Sequence, residues 1–277
     1  MPGAIPISAV VLSHNEAANL PRCLQALRAC AEVVVVDDGS TDDSPRIAAE
    51  CGARVVRHPF ASFAAQRNWA MEGAGLTQDW VLHLDADEVV TPAFLEEVRH
   101  RLPALPVRAA GFLARRVMLD GRWLRFSADY PVYVPRLVHR NGLCYAMRGH
   151  GEVLAAEPEQ AVYLREPVLH YTFSKGWEEW RTRHRRYAAA EAGRIQAGLP
   201  PFSFRALFSP DRAVRRAVWR AWSYRLPGRP GLRFLYAYFL RLGFLDGRAG
   251  LRFSLAMAEY ERMIDAELRH RQNAGPP

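Results

Sequence analysis

Between Ile7 and Leu102 the chain repeats one pattern four times, a short apolar run followed by a segment with helical spacing. "ISAVVLS" leads into "NEAANLPRCLQALRAC", with leucines at 20, 24 and 27 on one helical face. "EVVVVDDGS" leads into "DDSPRIAAECG", closed by Gly52, and "ARVVRHP" leads into "FAAQRNWAMEGA". "DWVLHLDAD" leads into "TPAFLEEVRHRL", where Thr91 reads as the N-cap and Pro92 as the first helical residue. Runs that are apolar without alternation are strands buried on both faces, so the series predicts a parallel sheet with helices on both sides. Ligands of such sheets bind at the carboxyl ends of the strands. The polar groups gather there: "SHNE" after the first run, "DDGSTDD" after the second and "DADE" after the fourth.

From about Ala110 to His170 the pattern changes to short β-like runs, "GFLARRVML", "VYVPRLVHR" and "AVYLREPVLHY", with "LDGR" and "HRNG" as turns. These predict an antiparallel extension over the strand ends. "FSKGWEEWRTRHRRYAAAEAGRIQAG" reads as an exposed helix. Beyond it the charge becomes one-sided. The net charge is +8, yet Arg205 to Arg252 alone holds eleven arginines against two aspartates, leaving −1 for everything else. Nine of the thirty aromatic residues share that stretch. "RPGLRFLYAYFLRLGFLDGRAGLRF" has no uncharged run longer than Phe234 to Leu240, far short of the ~20 residues a spanning helix needs. Aromatics flanked by arginine suit a helix in the plane of a membrane interface; a core-packing helix with solvated arginines is the alternative. Four cysteines without CxxC spacing predict neither a disulfide framework nor a zinc site, and the N-terminus reads as lacking a signal peptide.

Two acidic groups carry the chemistry. Asp85 and Asp87 end a buried run, where the turning chain lets both carboxylates converge. Two like charges 4 Å apart repel by about 4 kcal/mol at an effective dielectric of 20. A Mg²⁺ or Mn²⁺ ion that fills its shell with diphosphate and water relieves this; a solvated capping loop is the plain alternative. Glu88 follows as a supporting acid, while His83, inside the run, reads as a packing residue. In "VVDDGSTDD", Gly39 to Asp42 make a strand-turn-helix joint, which does not explain the paired acids Asp37 and Asp38 before the glycine. A carboxylate there can accept from a base N–H or a ribose hydroxyl. No GxGxxG follows the first run, so a dinucleotide fold is excluded.

"VVLSHNEAANLPRCLQAL", "VVVVDDGSTDDS", "FAAQRNWAM" and "DWVLHLDADEVVTPAF", in this order, resemble glycosyltransferase family 2, nucleotide-sugar enzymes of the GT-A fold. Together with "PVLHYTFSKGWEEWRTRHRRYAAAEA" and "YFLRLGFLDGRAGLRF" they are most similar to its lipopolysaccharide-core and exopolysaccharide branch. The resemblance implies an α/β GT-A (Rossmann-like) fold, its mostly parallel sheet flanked by helices, with a C-terminal helical membrane-associating extension. Residues 1–174 would be the catalytic domain, divided into a nucleotide-sugar half (1–109) and an acceptor-side half (110–174). Residues 175–277 would be the helical, basic-aromatic region.

The implied reaction is inverting, metal-dependent transfer of a hexose from a UDP-sugar to a glycan or lipid-linked acceptor in cell-surface polysaccharide synthesis. Its implied place is cytoplasmic, peripheral on the anionic inner face of the membrane, with no nucleic acid as partner. By the same resemblance Ser13, His14, Asn15 and Glu16 border the base, Asp38 contacts uracil beside Asp37, and Arg67 approaches the diphosphate. Arg67 also reads as an ordinary exposed helix arginine. Asp85 and Asp87 match the metal-binding pair, Asp87 as the more direct ligand, and His170 could approach from the second half. The relatives' "PDYQLRLF" is "PVYVPRLV" here, so Val132 replaces the acid expected as general base. Glu152, then Asp129, are the substitutes, with His150 as a substrate contact; an exposed loop glutamate is the alternative for Glu152. The competing functions are a nucleic-acid-binding protein using the basic third, a nucleotidyltransferase, which lacks its glycine-rich loop here, and a catalytically degenerate relative.

Overall fold

In the computed structural model, residues 3–148, 151–198, 204–210 and 228–273 are described, together with residues 214, 215, 218, 221, 224 and 226. They divide into two compact units, one of residues 1–118 and 129–174, the other of 119–128 and 175–277.

The first unit holds the expected α/β sheet. Strands β1 (Ile5–Ser13), β2 (Cys30–Asp37), β3 (Arg54–Arg57) and β4 (Trp80–Asp85) pair in parallel in the order β3-β2-β1-β4. Eight of the nine residues of β1 are buried. Its alternate side chains serve two cores: Ile7, Ala9 and Val11 face helices α1 (Leu20–Ala26) and α4 (Pro92–Arg101), while Val10 and Leu12 face α3 (Phe63–Gly73). This two-sided burial is why the runs are apolar without alternation. Helix α2 (Ser44–Glu50) closes the second repeat. The Thr91 hydroxyl accepts from Phe94 N–H at 3.1 Å, with Pro92 in the first turn, as the sequence predicts.

The later strands extend the same sheet. β8 (Tyr133–His139) lies antiparallel to β4 with Trp80 opposite His139 and Leu82 opposite Leu137, which sets Arg136 beside His83. β6 (Ala109–Leu119) pairs antiparallel with β8, then β12 (Val168–His170) joins β6 in parallel and β5 (Glu88–Val89) closes the path. β11 (Gln160–Tyr163) also pairs with β6, and β9 (Tyr145–Arg148) and β10 (Gly151–Leu154) form a separate hairpin. The extension is thus mixed rather than purely antiparallel.

The second unit corrects two readings. Helix α5 (Gly176–Gln196) is not simply exposed, because Trp180, Ala188, Glu191 and Ala192 are buried. It packs on the last helix, here α7 (Gly247–Asn273), through Arg181–Glu259 at 2.8 Å and the His184–Tyr260 ring contact. The basic aromatic stretch is not one interfacial helix. Helix α6 (Arg229–Leu235) runs into a π-helical turn (Tyr236–Leu240), reverses at Leu242 with φ 60°, and continues as a 3₁₀ turn (Gly243–Asp246) before α7. Among the described residues no helix is long and apolar enough to cross a membrane.

Candidate functional site

The carboxyl ends of β1, β2 and β4 form one mouth in the first unit, and the candidate residues meet there in two groups.

The first group is an ion cluster built on the buried side chains of Arg67, Arg136, Glu88 and Glu152, with Asp85 29% exposed at its edge. Arg67, on α3, is fully buried, so it is not the exposed helix arginine that its position allows. Its Nη2 donates to Asp85 Oδ1 at 2.6 Å and its Nε to Glu152 Oε1 at 2.9 Å. Arg136, 3% exposed on β8, donates to Asp85 Oδ2 at 3.2 Å and to Glu152 Oε1. Glu88, also fully buried, accepts from the Asp85 backbone N–H at 3.0 Å and from Arg115 at 3.4 Å. Three guanidiniums therefore face three carboxylates, the arrangement by which charges are tolerated away from water. Burial would raise the Asp85 pKa, but Arg136 and Arg67 outweigh it and hold the carboxyl well below the usual range. Burial, followed by the two arginines, likewise keeps His83 neutral. Its ring packs edge-to-face on Tyr145 with centroids 5.2 Å apart, the packing role read from the sequence.

Arg136 is the residue that the sequence reading missed. Its signal was a single charge between Pro135 and Leu137 in an otherwise apolar strand, which demands a buried counter-charge.

The second group is no more open to solvent than Asp85: the Asp87 side chain is 14% exposed, His170 18% and Asp38 15%, against 29% for Asp85. Asp87 Oδ2 lies 3.4 Å from His170 Nε2, which Leu169–Val89 pairing of β12 with β5 carries to the mouth. Burial lowers the His170 pKa, yet the Asp87 carboxylate more than compensates and the net shift is upward. The Tyr171 N–H donates to the Asp87 carbonyl at 2.9 Å, and Arg22 stacks over the Tyr171 ring at 3.4 Å. Asp38, largely buried, pairs with the exposed His14.

Other members of the expected set are turned inward. Asp37 is 1% exposed and its Oδ2 accepts from the Gly39 and Ser40 N–H groups, each at 3.1 Å, capping its own turn. Asn15, held at φ 53°, accepts on Oδ1 from Thr41 N–H at 2.7 Å and tolerates the left-handed backbone as asparagine does. Glu16 accepts from Asn19 Nδ2 at 2.7 Å, and Ser13 is buried. These residues fix the loop around the mouth more than they face it. Val132 is 38% exposed and Asp129 is exposed, whereas His150 lies outside the described residues.

For a divalent cation the donor set is small. Both Asp85 oxygens are engaged by guanidiniums, and among the described residues no group of three or more His, Cys, Asp or Glu could hold a metal. Asp87 and His170 offer one oxygen and one nitrogen, which fits an ion that takes the rest of its shell from phosphate and water.

Comparison with known proteins adds the family. The model described as "Glycosyl transferase family 2" matches residues 8–143. The lipopolysaccharide core biosynthesis glycosyltransferase LpsC of Rhizobium meliloti is 27% identical over 232 residues, covering 78% of this chain and 82% of that protein. The undecaprenyl-phosphate 4-deoxy-4-formamido-L-arabinose transferase of Pseudomonas fluorescens is 30% identical over 164 residues, 54% of this chain and 46% of that protein. A solved structure of glucosyl-3-phosphoglycerate synthase from Mycobacterium tuberculosis, with Mn²⁺, UDP and glucosyl-3-phosphoglycerate, aligns at a TM-score of 0.34 and 23% identity. It covers 40% of this chain and 44% of that one, too partial a likeness to carry an argument. The match spans less than half the length of these last two proteins. The chain belongs to glycosyl transferase family 2 and is a glycosyltransferase.

Proposed function

We propose that the chain transfers a hexose, with inversion, from a UDP-sugar to a glycan or lipid-linked acceptor during assembly of lipopolysaccharide-type polysaccharide. Residues 1–174 supply the catalytic domain, and 175–277 the helical region through which the protein touches the anionic inner face of the cell membrane. The name of the Rhizobium meliloti relative supports the polysaccharide assignment. The observation that supports the reading is the mouth itself, where Asp38 and Asp87 each face a histidine while Asp85 is held by two guanidiniums.

In this reading Asp38 receives the uracil ring in the crevice between β1 and β2. Asp87, assisted by His170, holds the Mg²⁺ or Mn²⁺ ion. That ion, when bound, neutralises the diphosphate as it leaves. The two guanidiniums on Asp85 favour Asp87 as the direct ligand, and Arg67 acts by fixing Asp85 rather than by touching phosphate. Glu152 is likewise occupied by Arg67 and Arg136, so the general base moves to Asp129, the exposed carboxylate of the original pair.

Calorimetry tests the donor site. UDP binding should require Mn²⁺ or Mg²⁺ and weaken at least tenfold in Asp87→Asn; equal binding without metal contradicts the site. Asp129→Asn should lower kcat about 100-fold or more with little change in KM. Full turnover in that variant would remove Asp129 as the base.

A further inference from the structure

Large apolar side chains are not scattered evenly over this surface. Of the nineteen that are exposed among the described residues, ten fall between Leu232 and Leu255. Those on α6 and its π-helical extension, Leu232, Leu235, Tyr236, Phe239 and Leu240, recur at the spacing of a single helical face. Leu242, Phe244 and Leu245 continue the surface around the turn, and Leu251 and Leu255 carry it one turn apart onto α7. Leu240, at the reversal, is 77% exposed.

The opposite side of the same hairpin is already packed, so the outer face is not a core turned inside out. Ala237, Gly243, Ala249 and Phe253 are buried. A Cβ at Gly250 would stand 2.0 Å from the Gly243 carbonyl oxygen, and one at Gly243 would stand 2.4 Å from that of Ala237. The small residues draw the two arms together and leave the large ones outside.

Charge on this face has one sign. Between Gly228 and Ala258 the sole acid is Asp246, which is 5% exposed. It accepts from the backbone N–H groups of Arg125, Phe126 and Ser127 and from the Ser127 hydroxyl at 2.7 Å. With that carboxylate withdrawn, Arg233, Arg248 and Arg252 border the apolar face, Arg252 shared with the exposed Asp120. An apolar tip bordered by arginines complements a layer of hydrocarbon beneath anionic phosphates.

We propose that the hairpin of residues 232–255 is a membrane-inserting wedge. Leu240, Leu242, Phe244 and Leu245 enter the acyl-chain boundary, and Arg233 and Arg248 lie at the level of the phosphates. The inference rests on the peripheral-contact reading above and goes further, because contact through arginine alone needs no insertion.

Full-length protein is mixed with phosphatidylcholine vesicles containing one quarter phosphatidylglycerol and separated by flotation. Three forms are compared: wild type, L240S/L245S and R233Q/R248Q. Wild type should float with these vesicles. L240S/L245S should lose about a hundredfold in partition, roughly tenfold for each leucine withheld from hydrocarbon. R233Q/R248Q should lose about tenfold and respond less to added salt. Leu240, Leu245 and Arg248 are exposed and Arg233 is half-buried, and circular dichroism verifies the fold. As an independent readout, Leu240→Trp should add fluorescence that lipids brominated on the acyl chain quench.

Undiminished flotation of L240S/L245S, or no added quenching in Leu240→Trp, overturns insertion while peripheral contact stands. No flotation of wild type overturns both readings. Concentration-dependent self-association that L240S/L245S abolishes, without vesicle binding, gives the face to a second copy and also overturns the proposal.

Discussion

Replacing Arg67 by methionine separates a structural cation from a substrate-binding one. The side chain has no exposed surface, and its guanidinium joins Asp85 at 2.6 Å to Glu152 at 2.9 Å. Methionine fills much of the volume but leaves two carboxylates to share Arg136. Breaking a buried ion pair from one side costs about 3–5 kcal/mol, and the lower end applies here because Arg136 still pairs with both carboxylates. For a unit of this size each kcal/mol moves Tm by about 2–4 °C, so Arg67→Met should melt about 10 °C below wild type at pH 7.

The pH dependence carries the same logic. Asp85 is held below its ordinary range by Arg136 and Arg67 against the effect of burial, so its ionised form contributes stability above the unfolded carboxylate pKa. That contribution is lost as pH falls. In Arg67→Met the carboxyl takes up a proton more readily, and the gap to wild type should narrow toward pH 4. Adding Asp85→Asn should return part of the lost stability, a coupling read from the double-mutant cycle. Thermal denaturation followed by circular dichroism measures all of this. A Tm within 2 °C of wild type, joined to a tenfold loss of UDP affinity, refutes the reasoning and restores Arg67 to the diphosphate.

Two further tests address the second unit. In Asp246→Asn one amide oxygen replaces a carboxylate that serves three backbone N–H groups and a hydroxyl, and chemical denaturation should show a loss of about 2–4 kcal/mol. His184 is pushed down to about 4 by burial between Trp180 and Tyr260, with its Nδ1 facing the Trp180 carbonyl. Its unfolded form takes up a proton first as pH drops below ~6.5, so its share of stability is full above that value and fades toward pH 4. The ceiling is about 3 kcal/mol, reduced to about 1–2 because the ring is partly solvated. Urea midpoints between pH 7.5 and 4.5 should therefore fall more steeply for wild type than for His184→Phe.

The sheet was legible because buried parallel strands declare themselves as unbroken apolar runs, and β1, β2 and β4 lie where those runs stand. The acids at the strand ends were legible as a cluster, but not their division of labour. Asp37 and Asn15 look like ligand groups in sequence, and only the folded loop turns them onto backbone N–H groups. Arg136 was hidden by its apolar neighbours, since its counter-charges come from Asp85 and Glu152, 51 and 16 residues away. The segment 119–128 gave no local sign of belonging with the second unit, because the carboxylate that holds it, Asp246, is about 120 residues further on. The C-terminal hairpin was readable in retrospect from "RLGFLDG": Gly247 takes φ 65°, a backbone that favours glycine and ends a continuous helix.

The two aspartates of "DAD" differ in what it costs to use them. For Asp85 to bind a cation, two buried guanidiniums must release it, and Arg67 and Arg136 would then face each other with one carboxylate fewer between them. That is the 3–5 kcal/mol penalty of a broken buried pair, paid before any ligand bond forms. Asp87 faces the His170 imidazole at 3.4 Å, a longer contact than either guanidinium makes with Asp85. The arginine-bound cluster also shapes the surroundings of Asp87. Glu88 accepts the Asp85 N–H and takes Arg115, so both ends of the turn from 85 to 88 are fixed, and Asp87 stands between them. On the proposed assignment Asp85 is the anchor and Asp87, already the more direct ligand in the sequence reading, is the working carboxylate, a division that the arginines on Asp85 favour.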